Sequence, residues 1–270
     1  MKRTARIAYI TQQLTDNPNK LFSLNYFCNE LGAAKSTISE DISIVKDAAE
    51  TAEIGKIITI TGKNGGVKFI PCLTKEKCVA IQLELCDKLA DPSRNLGEGF
   101  IYTSDLMFDP HFTKKLASIF AQIYSNHEID YVVTIETKGL PLAFMTAQYL
   151  GIPTVVVRRE PKISEGPTIS INYFSGTAGR MKKMSISKKS IVPGSNAIII
   201  DDFMRAGGSI KGICELLSEM NVTTKGIGVA IASTEPETKK VDSYTPLVYF
   251  NKKSDSYTSA FPNEEILTMI

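Results

Sequence analysis

The sequence has 270 residues, 43% of them hydrophobic, which suffices for one sizeable core and a smaller second domain. Its 31 basic and 29 acidic residues give a net charge of +2, so charge excludes neither a nucleic acid nor a metabolite as a partner. Residues 1–75 carry 10 Lys and Arg against 7 Asp and Glu, which makes the front of the chain mildly basic.

The cysteines and histidines argue against two kinds of structure. Five cysteines without a C-x-x-C pair indicate reduced thiols, and we predict a cytoplasmic protein. With only His111 and His127, no zinc-ligand spacing occurs, and we predict no metal held by the protein. No apolar run reaches about 18 residues, so we predict no membrane partner.

The first fifty residues predict three helices. Ile7, Ile10 and Leu14 share one face of a first helix, which a turn at residues 16–19 ends. Ser23 is placed to cap a second helix, and Gly32 to stop it. The third helix, KSTISEDISIVKDAAE, follows a tight turn, so the second and third helices form a helix-turn-helix.

A β-hairpin is predicted after these helices, because the runs IITIT and VKFIP flank a glycine-rich turn. This order is the winged-helix arrangement, and the run ELGAAKSTISEDI resembles the helix-turn-helix of bacterial repressors. A small helical protein-interaction domain is the alternative, and Glu40 and Asp41 inside the third helix weaken the case for DNA. The predicted DNA-binding residues are basic, small or polar: Lys2, Arg3, Arg6, Lys35, Ser36, Thr37, Ser39, Ser43, Lys63, Asn64 and Lys68.

The pattern changes from about residue 73. TKEKCVAIQLELCDKLAD predicts an amphipathic helix that buries Val79, Leu83, Cys86 and either Leu89 or Ala90, and residues 92–99 predict a loop. We therefore predict two domains, a winged-helix domain at 1–73 and an effector domain at 74–270.

Buried-type strands alternate with helices in the second domain. YVVTI at 131–135, a helix from Pro141 through Tyr149 and a strand at 153–157 predict βαβ units and a parallel sheet. Residues 158–189 contain eight Lys and Arg against two Glu and form the most basic segment. The alternating run TISINYF and the glycines around it predict a protruding hairpin there.

The segment AIIIDDFMRAGGSIKG, residues 197–212, organises the second domain. Four apolar residues predict a strand buried on both faces, which Asp201 and Asp202 end, and a glycine-rich turn then opens a helix. Backbone N–H groups at that helix start can bind a phosphate. The carboxylates would repel it, so they suit a neutral diol such as that of a ribose. The loop therefore predicts a sugar-phosphate site.

The order of these parts closely resembles the phosphoribosyl pyrophosphate (PRPP) motif of type I phosphoribosyltransferases; an ordinary glycine-rich turn is the alternative. The resemblance implies a pyrophosphate loop with a cis peptide bond at Thr137-Lys138-Gly139, a pyrophosphate-binding cation at Arg158, and a hairpin that closes over PRPP. It also implies Mg²⁺ bridging ligand oxygens. No catalytic residue is predicted, because no base pocket is recognisable. The predicted PRPP-binding residues are Asp201, Asp202, Phe203, Met204, Arg205, Ala206, Gly207, Gly208, Ser209, Thr137, Lys138, Gly139, Arg158, Lys162 and Tyr102.

Together the two domains resemble the bacterial purine operon repressor family over essentially the whole chain. The resemblance implies an α/β protein, with an N-terminal winged helix-turn-helix and a C-terminal type I phosphoribosyltransferase fold. It further implies a homodimer that binds operator DNA near purine synthesis genes and is released by PRPP. Guanine nucleotides carrying pyrophosphate are a further ligand class to test. Two alternatives stay open: an active purine phosphoribosyltransferase of the xanthine type with an added domain, and a scaffold that uses both domains as interaction modules.

Overall fold

A computed structural model describes residues 1–97, 100–160, 163–175, 180–254 and 257–270. The chain divides into two compact units, Met1–Thr74 with Gln148–Gly151, and Lys75–Ala147 with Ile152–Ile270. All five cysteines are free thiols. None of the helices within these ranges has the length and apolar character needed to cross a bilayer.

The first unit contains three helices and a hairpin, as the sequence predicts: α1 (Arg3–Asp16), α2 (Leu24–Leu31), α3 (Lys35–Thr51), β1 (Gly55–Ile60) and β2 (Gly66–Pro71). The Ser23 hydroxyl accepts a hydrogen bond from the Tyr26 N–H at 3.1 Å and so caps α2. Gly32 ends α2 with a φ of 58°. The strands β1 and β2 pair antiparallel along their whole length.

One apolar core, with Ile10, Phe27, Ile38 and Phe69 among its buried residues, holds this unit together. Asp41 of α3 is also buried, with 1% of its side chain exposed. Its carboxylate pairs with Nε of Arg3 at 3.2 Å and Nε of Arg6 at 2.7 Å, both from α1. Asp41 therefore adds no exposed negative charge to α3, and this removes half of the objection that the sequence raised to DNA binding.

The second unit is a sheet with flanking helices. Its helices and strands in chain order are α4 (Lys75–Leu89), β3 (Asn95–Gly97), β4 (Phe100–Ile101), α5 (Ser104–Met107), α6 (Pro110–Tyr124), β5 (Tyr131–Ile135), α7 (Leu140–Leu150), β6 (Thr154–Val157), β7 (Thr168–Ser175), β8 (Arg180–Ser187), β9 (Asn196–Met204), α8 (Gly208–Glu219), β10 (Thr223–Ser233), β11 (Thr245–Ser254), β12 (Tyr257–Pro262) and α9 (Ile266–Met269).

The six-stranded sheet has the order β12-β11-β10-β9-β5-β6, and every neighbouring pair except β11–β12 is parallel. The predicted parallel sheet is thus confirmed. Ala197 to Ile200 lie in its centre and are fully buried. Glycines at 226 and 228 in β10 make room for the rings of Tyr124 and Phe120 from α6. The predicted hairpin is present as β7 paired with β8.

The strand β9 does not end at the acid pair, as the sequence suggested. Asp201 is in register with Val229, and Phe203 with Ile231, because the long strand β10 continues to offer backbone partners. The carboxylates therefore lie inside the strand. Residues 92–97 also differ from the predicted loop, since they form a 3₁₀ turn and then β3, which pairs with β4. The predicted loop residues 98–99 lie outside the described residues.

The helix α4 buries a different stripe from the predicted one. Leu83 is 48% exposed, whereas Gln82 is buried among apolar residues. The Gln82 amide donates to the carbonyls of Leu247 at 2.8 Å and Asn263 at 2.9 Å, which satisfies it inside the core. Apolar spacing cannot anticipate a buried glutamine, so the predicted face was wrong at Leu83 and correct at Cys86.

Candidate functional site

Three neighbouring strands end at one edge of the sheet and bring most of the predicted ligand-binding segments together. The strand β9 lies beside β5, and β5 lies beside β6. The chain leaves these strands through residues 205–209, 136–139 and 158–160, respectively. This carboxyl edge is where open α/β sheets bind ligands.

The acid pair Asp201 and Asp202 lies at this edge. Asp201 is 6% exposed, and its Oδ1 accepts a hydrogen bond from the Asp202 N–H at 3.0 Å. Burial raises the pKa of both carboxyls, and the charge of Asp202 raises the pKa of Asp201 further. The positive charge of Arg159 lowers the pKa of Asp201, and that of Lys138 lowers the pKa of Asp202. Arg159 and Lys138 are therefore the positive charges that act on the acid pair.

The loop at residues 136–139 packs against Asp201. The peptide bond Glu136–Thr137 is cis, which confirms the cis bond expected in this loop. A Cβ on Gly139 would overlap the Asp201 carboxylate and lie 2.8 Å from Oγ1 of Thr134, so only glycine fits. The Thr134 hydroxyl is buried there without a hydrogen-bond partner in the described part of the chain. The loop and the acid pair thus form one site.

The glycine-rich run opens the helix α8. Gly207 has a φ of 78°, and Gly208 leaves no space for a Cβ because the Phe174 carbonyl lies against it. No side chain caps the start of α8, so its first N–H groups can face a ligand. Ala206 is buried and Ser209 is partly exposed. This arrangement can bind a phosphate.

Arg158 is engaged within the protein. Its Nη1 pairs with Oε2 of Glu136 at 3.1 Å and its Nε pairs with Glu165, and these partners raise its pKa. Its backbone N–H donates at 2.8 Å to the carbonyl of Ser185, which lies within the hairpin strand β8. The Arg159 N–H donates to Oε1 of Glu136 at 2.9 Å. Arg158 therefore braces the base of the hairpin.

The remaining predicted ligand residues differ in position. Met204 is buried in the core, and Phe203 meets Phe250 edge to face at 6.4 Å. Tyr102 is 45% exposed, and its N–H donates to the Arg94 carbonyl, but none of its described contacts connects it with the acid pair. Lys162 lies outside the described residues, as do residues 176–179 at the predicted hairpin tip.

A second candidate surface lies on the first unit. Lys35, Ser36, Ser39 and Ser43 on α3 are exposed and Thr37 is half-buried, while no side chain caps the start of α3. Lys63 and Asn64 are exposed in the turn between β1 and β2, and Lys68 is half-buried on β2. On α1 Arg6 is mostly covered, whereas Arg3 keeps 56% of its side chain exposed. Lys2 is exposed just before α1.

Three contributors to the carboxyl edge are not among the predicted ligand-binding residues. Arg159 acts on Asp201, and Glu136 and Glu165 hold Arg158. Arg159 could have been found from its place beside the predicted cation, because both residues follow the same strand. The partnership of Glu165 with Arg158 had no signal, since the residues meet only where the chain turns back.

A helix-turn-helix with a wing, together with a mostly parallel sheet that has an acid pair and a glycine-rich helix start at its carboxyl edge, defines a DNA-binding type of unit linked to a phosphoribosyltransferase fold. Family models agree: residues 2–71 match the bacterial purine repressor N-terminal model, and residues 104–263 match the phosphoribosyl transferase domain model. Among solved structures, adenine phosphoribosyltransferase from Saccharomyces cerevisiae aligns with a TM-score of 0.52 and 22% identity. It covers 62% of this chain and 98% of its own, which supports the fold.

Two relatives match almost the whole chain. The purine biosynthesis transcriptional repressor PurR of Bacillus subtilis is 40% identical over 247 residues, or 92% of this chain and 87% of that protein. The purine biosynthesis transcriptional activator PurR of Lactococcus lactis subsp. lactis is 36% identical over 248 residues, or 92% of each. The chain belongs to this family of purine biosynthesis transcriptional regulators, and the family resemblance that the sequence showed is confirmed.

Proposed function

We propose that this chain is a repressor of purine synthesis genes that binds operator DNA through residues 1–73 and PRPP through residues 74–270. The observation that carries the proposal is that one chain contains both kinds of site. The start of α3 is exposed and has no side-chain cap, and the acid pair lies beside the start of α8, which also has no side-chain cap. PRPP lowers operator affinity, so transcription rises when the nucleotide precursor accumulates.

Each part of PRPP has a matching feature at the carboxyl edge. The backbone N–H groups of residues 206–209 take the 5-phosphate, because a helix start attracts an anion. Asp202, partly exposed, accepts the ribose hydroxyls, while Asp201 orients it through the Asp202 N–H. The loop at 137–139 and the charges of Lys138 and Arg159 take the pyrophosphate.

Arg158 has a different part in this proposal from the one that the resemblance implied. Both of its carboxylate partners would have to release it before it could bind pyrophosphate directly. Arg158 instead fixes Glu136 at the start of the pyrophosphate loop and Glu165 near the hairpin, so it positions the loop. Arg159, which pulls down the pKa of Asp201, supplies the charge.

Magnesium accompanies the ligand in this proposal. The described ranges contain no group of three or more His, Cys, Asp or Glu side chains that could hold a metal ion without help. The chain therefore fits Mg²⁺ that arrives on the pyrophosphate and hydroxyl oxygens of PRPP, with water completing its shell. Mg²⁺ would neutralise part of the pyrophosphate charge beside the acid pair.

Regulation is favoured over catalysis. The relatives that match 92% of the chain are named as transcriptional regulators, and the likeness to phosphoribosyltransferases of known structure is distant. One relative is named an activator, so the sign of regulation has to be measured. The phosphoribosyl transferase match at residues 104–263 keeps turnover with a purine base as the second candidate function.

We also propose a homodimer, because a winged helix gains operator affinity when two copies bind adjacent half-sites. The exposed Leu83 on α4 suits a subunit contact. A DNA-bound regulator works in the cytoplasm of a bacterium. Guanine nucleotides with pyrophosphate groups share the anionic parts of PRPP and are the first competitors to test.

The decisive experiment combines calorimetry with a gel shift. PRPP titrated with Mg²⁺ should bind at one site per chain and should release the protein from DNA upstream of purine synthesis genes. PRPP mixed with each common base should give no pyrophosphate. Absence of PRPP binding refutes the proposal, and pyrophosphate release establishes the enzyme.

A further inference from the structure

The loop that follows β10 turns back to the phosphate-binding start of α8. The Lys240 N–H donates to the Ala206 carbonyl at 2.9 Å. The aliphatic stem of Lys240 lies over Gly208, since its Cδ is 3.7 Å from where a Cβ on that glycine would stand. Val241 closes over Gly207 in the same way, at 3.3 Å. Lys240 and Val241, which follow the glycine-rich turn by 32 to 34 positions in the chain, thus form one of its walls.

Lys239 brings a second ammonium group to this wall. Its Nζ donates to the Ser233 carbonyl at 2.6 Å, which uses one of its three N–H donors. Burial lowers the pKa of Lys239, and the charge of Arg205, next to Ala206, lowers it further. Glu235 has the opposite effect on that pKa. Burial and the charge of Arg205 thus both act against the charged form of Lys239, and Glu235 favours it.

The adjacent cations Lys239 and Lys240, on a loop that returns to the start of α8, favour an anion beside them. Lys239 is half-buried and tied to the backbone, so it loses little side-chain freedom when it binds a ligand. Lys240 is exposed, while its backbone N–H is fixed to the Ala206 carbonyl. The α8 start supplies uncharged N–H donors, and the lysines add the full positive charge that a phosphate dianion requires.

We propose that Lys239 and Lys240 recognise the phosphate on the ribose 5-position and so set the specificity of the effector site. This inference rests on the proposed PRPP site. It assigns a ligand role to a segment, TKKVD at residues 238–242, in which the sequence showed no binding signal. The lysine pair discriminates a ribose phosphate end from a pyrophosphate end, because it flanks the glycine-rich turn.

The test compares three ligands by calorimetry in the presence of Mg²⁺: PRPP, ribose 5-phosphate and inorganic pyrophosphate. We expect Lys239→Gln and Lys240→Gln each to weaken PRPP and ribose 5-phosphate about five- to tenfold, as for a partly exposed charged hydrogen bond. Pyrophosphate affinity should stay within about twofold. Lys240→Arg should keep most of the affinity, since it keeps the charge.

Lys225→Gln is the matched control, because Lys225 is an exposed lysine at the start of β10, the opposite end from this loop. It should leave all three affinities unchanged. Unchanged affinity for ribose 5-phosphate in both lysine variants overturns the inference, as does an equal loss for pyrophosphate, which would mean a general structural effect. If the wild type binds ribose 5-phosphate but not PRPP, the proposed function fails while the lysine comparison still stands on ribose 5-phosphate. If it binds neither, both fail.

Discussion

Asp201 is a residue at which function and stability oppose each other. It is 6% exposed and adjoins a second carboxylate, and burial is the main reason why its pKa is raised. A carboxyl whose pKa is higher in the folded than in the unfolded state stabilises the fold below its unfolded pKa. That contribution is lost as the pH rises through the folded pKa. Above the unfolded pKa, the burial of this carboxyl beside a second one therefore lowers the free energy of unfolding.

We expect Asp201→Asn to raise the free energy of unfolding at about pH 8, because the amide removes the cost of a buried carboxyl beside a second one. The gain should shrink towards about pH 4, where the wild-type carboxyl is protonated in the folded state. Urea unfolding at several pH values measures it, with the exposed Glu219→Gln as control. A gain that does not change with pH would contradict the argument.

Asp202 differs from Asp201 because it is more exposed and has Lys138 nearby. We expect Asp202→Ala to weaken PRPP binding by about tenfold or more, since charged hydrogen bonds to the ribose are lost. Operator affinity should not change, so the variant should stay on DNA at PRPP concentrations that release the wild type. Calorimetry and gel shifts measure the two affinities. A variant that PRPP still releases normally would exclude Asp202 from the site.

At the scale of elements, the start of α3 is the predicted DNA-reading surface. We expect Lys35→Glu to lower operator affinity by about tenfold or more and to reduce the salt dependence of binding, because a phosphate contact becomes repulsive. PRPP binding should be unaffected. Lys46→Glu, an exposed change further along the same helix, is the control. Equal effects of the two changes would indicate a general charge effect and not a docked helix.

The contact between α1 and α3 involves two arginines that differ in how much of their side chains is exposed. Arg6 and Arg3 both pair with buried Asp41, but their side chains are 13% and 56% exposed, respectively. We expect Arg6→Ala to destabilise the first unit by about 3 kcal/mol, because a buried carboxylate loses its main partner. Arg3→Ala should cost below about 1 kcal/mol.

Thermal unfolding and gel shifts on the same two variants decide what each arginine does. Reduced DNA affinity in Arg3→Ala at an unchanged melting temperature would support a phosphate contact. The same pattern in Arg6→Ala would mean that Arg6, too, contacts DNA and that its pairing with Asp41 adds little stability.

At the scale of the whole molecule, the proposed regulation is a coupling between two ligands. If PRPP lowers operator affinity by some factor, operator DNA must lower PRPP affinity by the same factor. We expect PRPP titrations of the protein–operator complex to show this weaker binding, and non-specific DNA of equal length to show less. Equal PRPP affinity with and without operator DNA would show that the two sites are not coupled.

The order of elements and the central motif could be predicted from the sequence because they are local properties. Ser23 caps a helix and Gly32 ends one through contacts within four residues. The composition of the run from Ala197 to Ile200 is enough to predict a buried strand. The glycine-rich turn after it predicts where α8 begins. The cis bond before Thr137 was also anticipated, through the resemblance of its loop.

Only the tertiary structure decided which side chains meet across distant segments. Local spacing gives no signal for four of these contacts. They are the hydrogen bonds of buried Gln82, the ion pair of Arg6 with Asp41, the ion pair of Arg158 with Glu165, and the hydrogen bond from the Lys240 N–H to the Ala206 carbonyl. Periodicity reports the average polarity of a face, whereas a buried polar or charged group depends on one particular partner. The sequence by itself therefore determined the order of helices and strands and the local motifs, and it predicted the two domains and the kind of site. The packing of the chain determined which charged side chains pair with each other.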